Sequence, residues 1–170
     1  LKNHVSSILL NSKSAVFLLE NGNIFWGKGI GAKHHAIGEL CFNTSQTGYQ
    51  EILTDPSYAS QIITFTFPHI GIVGTNENDQ ESSRCFASGC VFSSEIHNPS
   101  NWRAKQSLTD WLKINDVPCI TNVDTRYITK TLSEQGALKA AIVNFGNDNI
   151  NLNDIKKKID EWKGLENLDL

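Results

Sequence analysis

"CFNTSQTGYQEILTDPSYASQIITFTFPHIGIVGTN", residues 41–76, is rich in Thr, Ser, Asn, Gln and Tyr and carries almost no charge. A segment that only packs in a core would be more apolar, and a plain surface loop would carry more charged residues. Hydroxyl and amide groups bond a neutral ligand, or each other, without bringing a charge into a buried interface. The stretch is therefore suited to meet a neutral zwitterionic ligand and other protein surfaces.

The same stretch contains clear local signals. Gln61–Phe67 alternates as a strand, with Ile63, Phe65 and Phe67 on one face. Thr47–Gln50 has capping-box spacing, which predicts a short helix over about residues 48–53. Asp55-Pro56 ends that helix, because the residue before a proline avoids the helical region. Pro68–Ser83 follows as a long loop, and loops of this length without regular structure are usually functional or mobile.

Periodicity outside the stretch predicts a mixed α/β domain. Further strands are predicted at Ser14–Glu20, Ile24–Ile30, Gly38–Asn43, Phe86–Ser93, Pro118–Val123 and Leu138–Phe145. Further helices are predicted at Ser107–Asn115, Asp124–Gln135 and Asn153–Trp162, with Gly136 as a left-handed stop. Asn21-Gly22 favours a type I′ hairpin turn between the first two strands. Strands come first and then alternate with helices, so the order is not that of a Rossmann repeat.

Composition excludes several classes of function. The 170 residues suit one domain, the hydrophobic share of 39% is ordinary for a globular protein, and the net charge is −3. A weakly acidic chain has no basic field for nucleic acid or anionic lipid, and Lys156–Lys158 is interpreted as a solvated helix face. No apolar run reaches the ~18 residues of a membrane span. The four cysteines form no Cys-x-x-Cys pair, so we expect a cytoplasmic chain with reduced thiols and no metal site.

Spacing alone predicts no catalytic constellation. The glycines of Gly27–Gly31 lack the spacing of a phosphate loop and are interpreted as part of a strand. Cys90 follows a glycine, but Phe92 stands where a nucleophile elbow needs a small residue, so Cys90 is interpreted as a core thiol. An independent Cys hydrolase using Cys90 is a weaker alternative. Asp124–Arg126 has two interpretations: a helix cap with the arginine paired to a nearby carboxylate, or a partner or ligand contact.

The histidines give weak signals. His34-His35 and His97 lack a carboxylate at metal-ligand spacing, so we expect surface or loop positions for them. His69 follows Pro68 at the mouth of the long loop and is the histidine with most interest as a site residue.

Four segments carry a resemblance to a known family. They are "GELCFNTSQTGYQEILTDPSYASQIITFTFPHIGIVGTNENDQESS" (38–83), "LENGNIFWGKGIGA" (19–32), "NVDTRYITKTLSEQGALKAAIV" (122–143) and "GLENLDL" (164–170). In their order along the chain, these segments resemble the N-terminal domain of the small subunit of glutamine-hydrolysing carbamoyl-phosphate synthase. The resemblance covers roughly residues 14–170. It implies three segments: an N-terminal extension of uncertain role (1–13), the domain itself (14–163) and the start of a linker to a glutaminase domain (164–170).

The resemblance implies an α/β fold of the three-layer β/β/α swivelling type. It also implies a ligase reaction in which the small subunit hydrolyses glutamine and passes ammonia to a large subunit. There bicarbonate and ATP become carbamoyl phosphate for pyrimidine and arginine synthesis. ATP and Mg belong to the large subunit, and no cofactor is implied on this chain. The implied partners are the large subunit, the C-terminal glutaminase domain and glutamine, with no nucleic acid and no membrane.

The resemblance also assigns one site residue. In the family, the serine of the Asp-Pro-Ser-Tyr turn contacts bound glutamine, and that turn is Asp55–Tyr58 here, so Ser57 takes the role. Without the resemblance, Ser57 is a turn serine that bonds its own backbone. The family's catalytic Cys elbow and His-x-Glu pair do not occur in this sequence, so we expect no glutaminase activity from this chain alone. The alternative is a free-standing, non-catalytic docking module.

Overall fold

The computed structural model describes residues 13–96, 98–146 and 148–165. Within these ranges the chain forms seven strands and four α-helices. The strands are β1 (Ala15–Leu19), β2 (Ile24–Gly31), β3 (His35–Asn43), β4 (Gln61–Phe65), β5 (Gly89–Phe92), β6 (Pro118–Thr121) and β7 (Leu138–Asn144). The helices are α1 (Tyr49–Thr54), α2 (Leu108–Ile114), α3 (Thr125–Gln135) and α4 (Leu152–Glu161), and a 3-10 turn covers Pro56–Tyr58.

The seven strands close into a barrel in the order β1-β2-β6-β5-β4-β3-β7. The strands from β3 through β4 and β5 to β6 are parallel neighbours, and the remaining pairings are antiparallel. The carboxyl ends of these four parallel strands therefore meet at one rim of the barrel. The mixed α/β class is confirmed, whereas the layered β/β/α arrangement stays a prediction.

Side chains alternate between the two sides of the sheet, as strand geometry requires. One set packs with the buried residues of α3 in a single hydrophobic cluster: Ala15, Phe17, Leu19, Leu40, Ile62, Val91, Ile120, Ile142, Ile128 and Leu132. The opposite side of β4, β5 and β6 packs against α1 and α2 through Ile63, Phe65, Phe92, Leu53, Leu108 and Trp111. Helix α4 covers β1 and β7 through Ile155 and Ile159. The predicted facing of Ile63 and Phe65, opposite Ile62, is confirmed.

The glycines of β2 allow close approach of the neighbouring strands. A Cβ on Gly27 would lie 2.2 Å from the backbone oxygen of Thr121, and one on Gly29 would lie 2.1 Å from Oδ1 of Asn144. Asn144 is itself buried and donates through Nδ2 to the carbonyls of Ile30 (3.0 Å) and Ala32 (2.8 Å). The interpretation of this segment as a strand, and not as a phosphate loop, is confirmed.

Two turn predictions are wrong in detail. The predicted capping box at Thr47 does not form: α1 begins after Gly48, which has a φ of 81° and offers no side-chain cap. Gln50, the second member of that box, is buried with its amide bonded elsewhere. In the first hairpin, Leu19 O accepts from Gly22 N at 3.0 Å, and Gly22 alone of the Asn21-Gly22 pair has a positive φ, 92°. The connection is therefore a four-residue β-turn, Leu19–Gly22, that ends in a glycine with positive φ, and not a type I′ turn, which needs positive φ at both central residues.

The predicted helix caps are confirmed. Ser107 Oγ accepts from Asp110 N at 3.1 Å at the start of α2, and Asp124 Oδ1 accepts from Tyr127 N at 2.9 Å at the start of α3. Gly136 ends α3 with a φ of 81°. Each cap satisfies backbone groups that the helix ends leave unpaired.

Candidate functional site

Polar side chains of the stretch after β3 hold the long loop, Pro68–Ser83, against α1. Gln50, which is 2% exposed, donates through Nε2 to the carbonyl of Asn76 at 2.8 Å and accepts from Asn76 N at 3.0 Å. The hydroxyl of Tyr49 donates to the carbonyl of Gly74 at 2.5 Å. These bonds fix the middle of the loop against buried polar side chains of α1.

A second group of bonds fixes the end of the same loop. Glu81 N donates to Thr54 Oγ1 at 3.0 Å, and the hydroxyl of Ser82 donates to the carbonyl of Thr54. Asp79 accepts from Asn76 Nδ2 at 2.6 Å and from a guanidinium nitrogen of Arg103 at 2.9 Å. Much of the polarity of the stretch therefore serves a hydrogen-bond network within the chain, a use that the sequence did not predict.

Ser57 lies on the outside of this region. It is the middle residue of the 3-10 turn, it is exposed, and its backbone N donates to Asp55 Oδ1 at 2.8 Å. Hydrogen bonds from the side chain and then the backbone N of Ser57 hold the pKa of Asp55 below its usual value. The turn is held by these hydrogen bonds and Ser57 is exposed, whereas the contact of Ser57 with glutamine stays a prediction.

A cleft of about 900 Å³ lies over the carboxyl ends of the four parallel strands. One wall consists of Thr44, Thr66, Ser93 and Asn122, and each of these is the first residue after its strand, β3, β4, β5 and β6 respectively. The other wall is one face of α3, with Thr125, Arg126, Thr129, Lys130 and Ser133. Ligands of α/β proteins commonly bind outside the carboxyl ends of parallel strands, so the cleft is a second candidate site.

The charges of the cleft are mainly positive. Arg126 is exposed and makes no hydrogen bond or ion pair with any residue that the structure describes, so its predicted pairing with a carboxylate is wrong. Lys130 approaches Glu134 of its own helix at 3.7 Å, and both side chains are well exposed. Asp124 contributes one negative charge, partly engaged in capping α3. The functional interpretation of the Asp124–Arg126 segment thus gains support from an unpaired arginine beside a cleft.

The cysteines are not placed for catalysis. Cys90 and Cys119 are fully buried on adjacent strands, with 3.1 Å between their sulfur atoms. Burial raises the pKa of Cys90 well above its usual value and raises that of Cys85 to about 12. The interpretation of Cys90 as a core thiol is confirmed, since a buried thiol that resists ionisation is a poor nucleophile.

The histidines lie at separate places on the surface. His34 lies 3.0 Å from the carbonyls of His35 and Asp116 and 3.3 Å from the carboxylate of Asp116, whereas His35 lies 3.1 Å from Lys158. His69 packs edge-on against Phe67 with ring centroids 5.6 Å apart. His97 lies outside the described residues. Across the described ranges, no group of three His, Cys, Asp or Glu side chains is arranged to hold a metal ion.

None of the helices in the described part of the chain is both long enough and apolar enough to cross a membrane.

Comparison with known proteins follows the same segments that the sequence singled out. Residues 17–142 match the family model described as carbamoyl-phosphate synthase small chain, CPSase domain. The chain is 47% identical over 165 residues to the carbamoyl phosphate synthase small chain of Bartonella henselae, covering 95% of this chain and 41% of that protein. The small chain of Bradyrhizobium diazoefficiens is 45% identical over 161 residues (92% and 41%), and that of Brucella canis is 46% identical over 165 residues (95% and 40%). The chain thus spans about two fifths of the length of these relatives.

Proposed function

The chain belongs to the family of carbamoyl-phosphate synthase small chains, and on this premise we propose that it is the N-terminal domain of the glutamine amidotransferase subunit of that enzyme. In this proposal the complete subunit releases ammonia from glutamine and delivers it to a large subunit, which uses ATP and Mg to make carbamoyl phosphate. The product feeds pyrimidine and arginine synthesis in the cytoplasm. The observation that carries the proposal is the match over residues 17–142 together with about 46% identity to the small chains.

The domain has two proposed tasks, and the first is to complete the glutamine site. Ser57 lies in an exposed turn whose backbone is fixed by Asp55, so its hydroxyl can exchange its bond to the Asp55 carboxylate for one to a ligand held by a neighbouring domain. Glutamine is a neutral zwitterion, and a serine hydroxyl bonds it without placing a charge in the interface.

The second proposed task is to dock on the large subunit and on the glutaminase domain. Large apolar side chains are exposed near the long loop: Trp102 is 91% exposed, and Ile72 is 37% exposed. Their two segments meet where Ser100 N donates to the carbonyl of Ile72 at 3.0 Å. Exposed tryptophan and aliphatic side chains are typical of protein interfaces, and we propose this area of the surface as part of the docking face.

The proposal is tested in the complete two-subunit enzyme with Ser57→Ala and the control Ser45→Ala. Ser45 is matched because its N also donates to an Asx side chain, Asn43 Oδ1, at 2.8 Å. One neutral hydrogen bond contributes about 0.5–1.5 kcal/mol, so Ser57→Ala should raise the KM for glutamine roughly 2- to 10-fold. Ammonia-dependent synthesis, which bypasses glutamine hydrolysis, should not change in either variant.

Two results would contradict the assignment. Equal losses of glutamine- and ammonia-dependent synthesis in Ser57→Ala would make Ser57 a structural residue. The second result is failure of the folded small subunit to bind a folded large subunit at micromolar concentration. That result would show that the chain does not form part of a two-subunit synthase, and it would favour a free-standing module.

A further inference from the structure

We propose that the cleft between α3 and the carboxyl ends of β3, β4, β5 and β6 is a binding site for a small organic oxyanion, a carboxylate or a phosphate ester. The cleft has a volume of about 900 Å³, which lies within the usual range of ~300–1,000 Å³ for small-molecule sites. It is separate from the Ser57 turn, which does not line it. The inference goes beyond glutamine use and stands whether or not Ser57 contacts glutamine.

The first observation is a pair of cations on one face of α3. Arg126 and Lys130 are four residues apart and both line the cleft, so their side chains lie one turn from each other. Arg126 makes no hydrogen bond or ion pair with the described residues, which leaves its five N–H donors available. A planar guanidinium with free donors binds carboxylate and phosphate oxygens in pairs of parallel hydrogen bonds.

The second observation is a pair of hydroxyls without partners at the same place. Ser93 Oγ is buried and makes no hydrogen bond with the described part of the chain. Thr125 is only 5% exposed, and its hydroxyl forms no bond with any residue in the described ranges. Buried polar groups in folded proteins are nearly always bonded, so the unbonded Ser93 Oγ in the wall of the cleft indicates a partner from outside the described residues. The Thr125 hydroxyl is not enclosed in the same way and is open to a molecule in the cleft. An oxyanion is such a partner, because it accepts from Arg126 and the Thr125 hydroxyl directly and from Ser93 once that side chain turns towards the cleft.

Three of the four remaining hydroxyls of the cleft show a different pattern. Thr129 and Ser133 donate to carbonyls of α3 at 2.8 and 3.0 Å, and Thr66 donates to the carbonyl of Asn43 at 3.3 Å. Their hydrogens are already in use, so they offer only lone pairs, which an anion does not need. The donors available where α3 begins are therefore those of Ser93, Thr125 and Arg126, and Thr44 keeps a further available hydroxyl directly after β3.

The start of α3 reinforces this end of the cleft. The helix has 11 residues, and its first amides lack partners within the helix, which gives this end a partial positive charge. Asp124 opposes an anion, since its carboxylate lines the cleft while Oδ1 caps Tyr127 N at 2.9 Å. We therefore expect the wild-type chain to bind an anion weakly, because the Asp124 carboxylate repels it. Replacing Asp124 by asparagine removes this charge and keeps the helix cap.

The test is a titration of the ¹⁵N-labelled chain, with succinate and inorganic phosphate as probes and sodium chloride at matched ionic strength as the control. We expect saturable chemical-shift changes at the amides of 93 and 122–126 with at least one probe and not with chloride. Succinate alone would identify a carboxylate ligand, and phosphate alone would identify a phosphate ester. Shifts that do not saturate with either probe, or that spread over the whole surface, would overturn the proposal.

Charge variants then give changes of opposite sign. Arg126→Gln should raise the Kd about 5- to 20-fold, since hydrogen bonds to charged groups are the stronger ones. Asp124→Asn should lower the Kd roughly 2- to 5-fold, because asparagine caps a helix as well as aspartate does and carries no charge. Thermal melting of each variant checks that the fold is retained.

Lys130→Gln has a closely matched control in Lys157→Gln. Lys130–Glu134 and Lys157–Glu161 are both exposed i,i+4 pairs at 3.7 Å, but Lys157 lies on α4 and away from the cleft. Lys130→Gln should weaken binding by about 2- to 5-fold, whereas Lys157→Gln should leave the Kd unchanged. Equal weakening in the two variants would show that the anion responds only to the net charge of the chain, and the proposal would be wrong.

Discussion

The internal polar network predicts an unusual response of the chain to changes at Gln50. Its amide uses both of its functions on one residue, donating to Asn76 O at 2.8 Å and accepting from Asn76 N at 3.0 Å. Both residues are buried, at 2% and 7% exposure. Gln50→Ala leaves two backbone groups of Asn76 without partners, and each such group costs about 1–3 kcal/mol. Because the loop relaxes and admits water, we expect a net loss of about 2–4 kcal/mol.

Gln50→Glu separates the two bonds. The carboxylate still accepts from Asn76 N, but at neutral pH it places a charge against the carbonyl of Asn76. Only the protonated acid donates to that carbonyl, so the folded-state pKa of the introduced glutamate is raised above its unfolded value of about 4.3. The protonated form thus contributes stability that is fully present below the unfolded pKa and is lost as pH rises through the folded pKa. We expect a variant that is nearly normal at about pH 4 and loses about 2–4 kcal/mol by pH 7.

Urea unfolding between pH 4 and pH 8 measures this, with Gln46→Glu as the matched control. Gln46 lies four residues earlier in the same stretch and is exposed, so the same charge there should change stability by less than ~0.5 kcal/mol. Hydrogen exchange adds a local signal, because the amides of Asn76 and Glu81 should lose protection before the strands do. Equal pH profiles for the two variants would refute the assignment of Gln50 as the clamp of the loop.

Three further predictions follow from the geometry. Asp124→Ala removes the cap of α3 and should cost about 1 kcal/mol in urea unfolding, whereas Asp124→Asn should cost only a few tenths. Partial burial lowers the pKa of His34, but the carbonyls of His35 and Asp116 and the Asp116 carboxylate raise it more, so the folded-state pKa is raised. The stability that His34 contributes is therefore present at acidic pH and is lost as pH rises through the folded pKa. His34→Gln should remove this part of the pH dependence of the unfolding free energy. This chain alone should release no ammonia from glutamine; activity above background that disappears in Cys90→Ala would contradict the interpretation of the buried thiol.

Much of the fold was predictable because its local signals are strong. The strands from Ser14 to Phe67 and the caps at Ser107 and Asp124 follow from alternation and from side chains that bond the first amides of a helix. Thr47 failed as a cap although its spacing was right. Gln50 forms tertiary bonds with Asn76 instead of reaching back to the helix start, and a pattern within four residues contains no information on a partner 26 residues away.

Local sequence patterns do not predict that the sheet closes into a barrel, because closure depends on pairings between strands that are distant in sequence. The pairing of β1 with β7 joins Ala15 to Asn144, and that of β2 with β6 joins Lys28 to Thr121. Alternation shows which residues of a strand share a face, but it does not show which strand is the neighbour. The sequence shows the glycines of β2, but only the structure shows that they make room for Thr121 and Asn144.

The residues that line the cleft are far apart in the sequence but lie side by side in the structure. Thr44, Thr66, Ser93 and Asn122 are separated by more than twenty residues each, and every one of them is a small hydroxyl or amide residue directly after a strand. Taken singly, each is an ordinary loop residue, since Ser, Thr and Asn favour strand ends and turns. Four parallel strands bring the four positions to one rim, where α3 adds Arg126 opposite them. A polar residue that recurs immediately after successive parallel strands is therefore a signal that sequence does contain, but only the strand order makes it readable as a site.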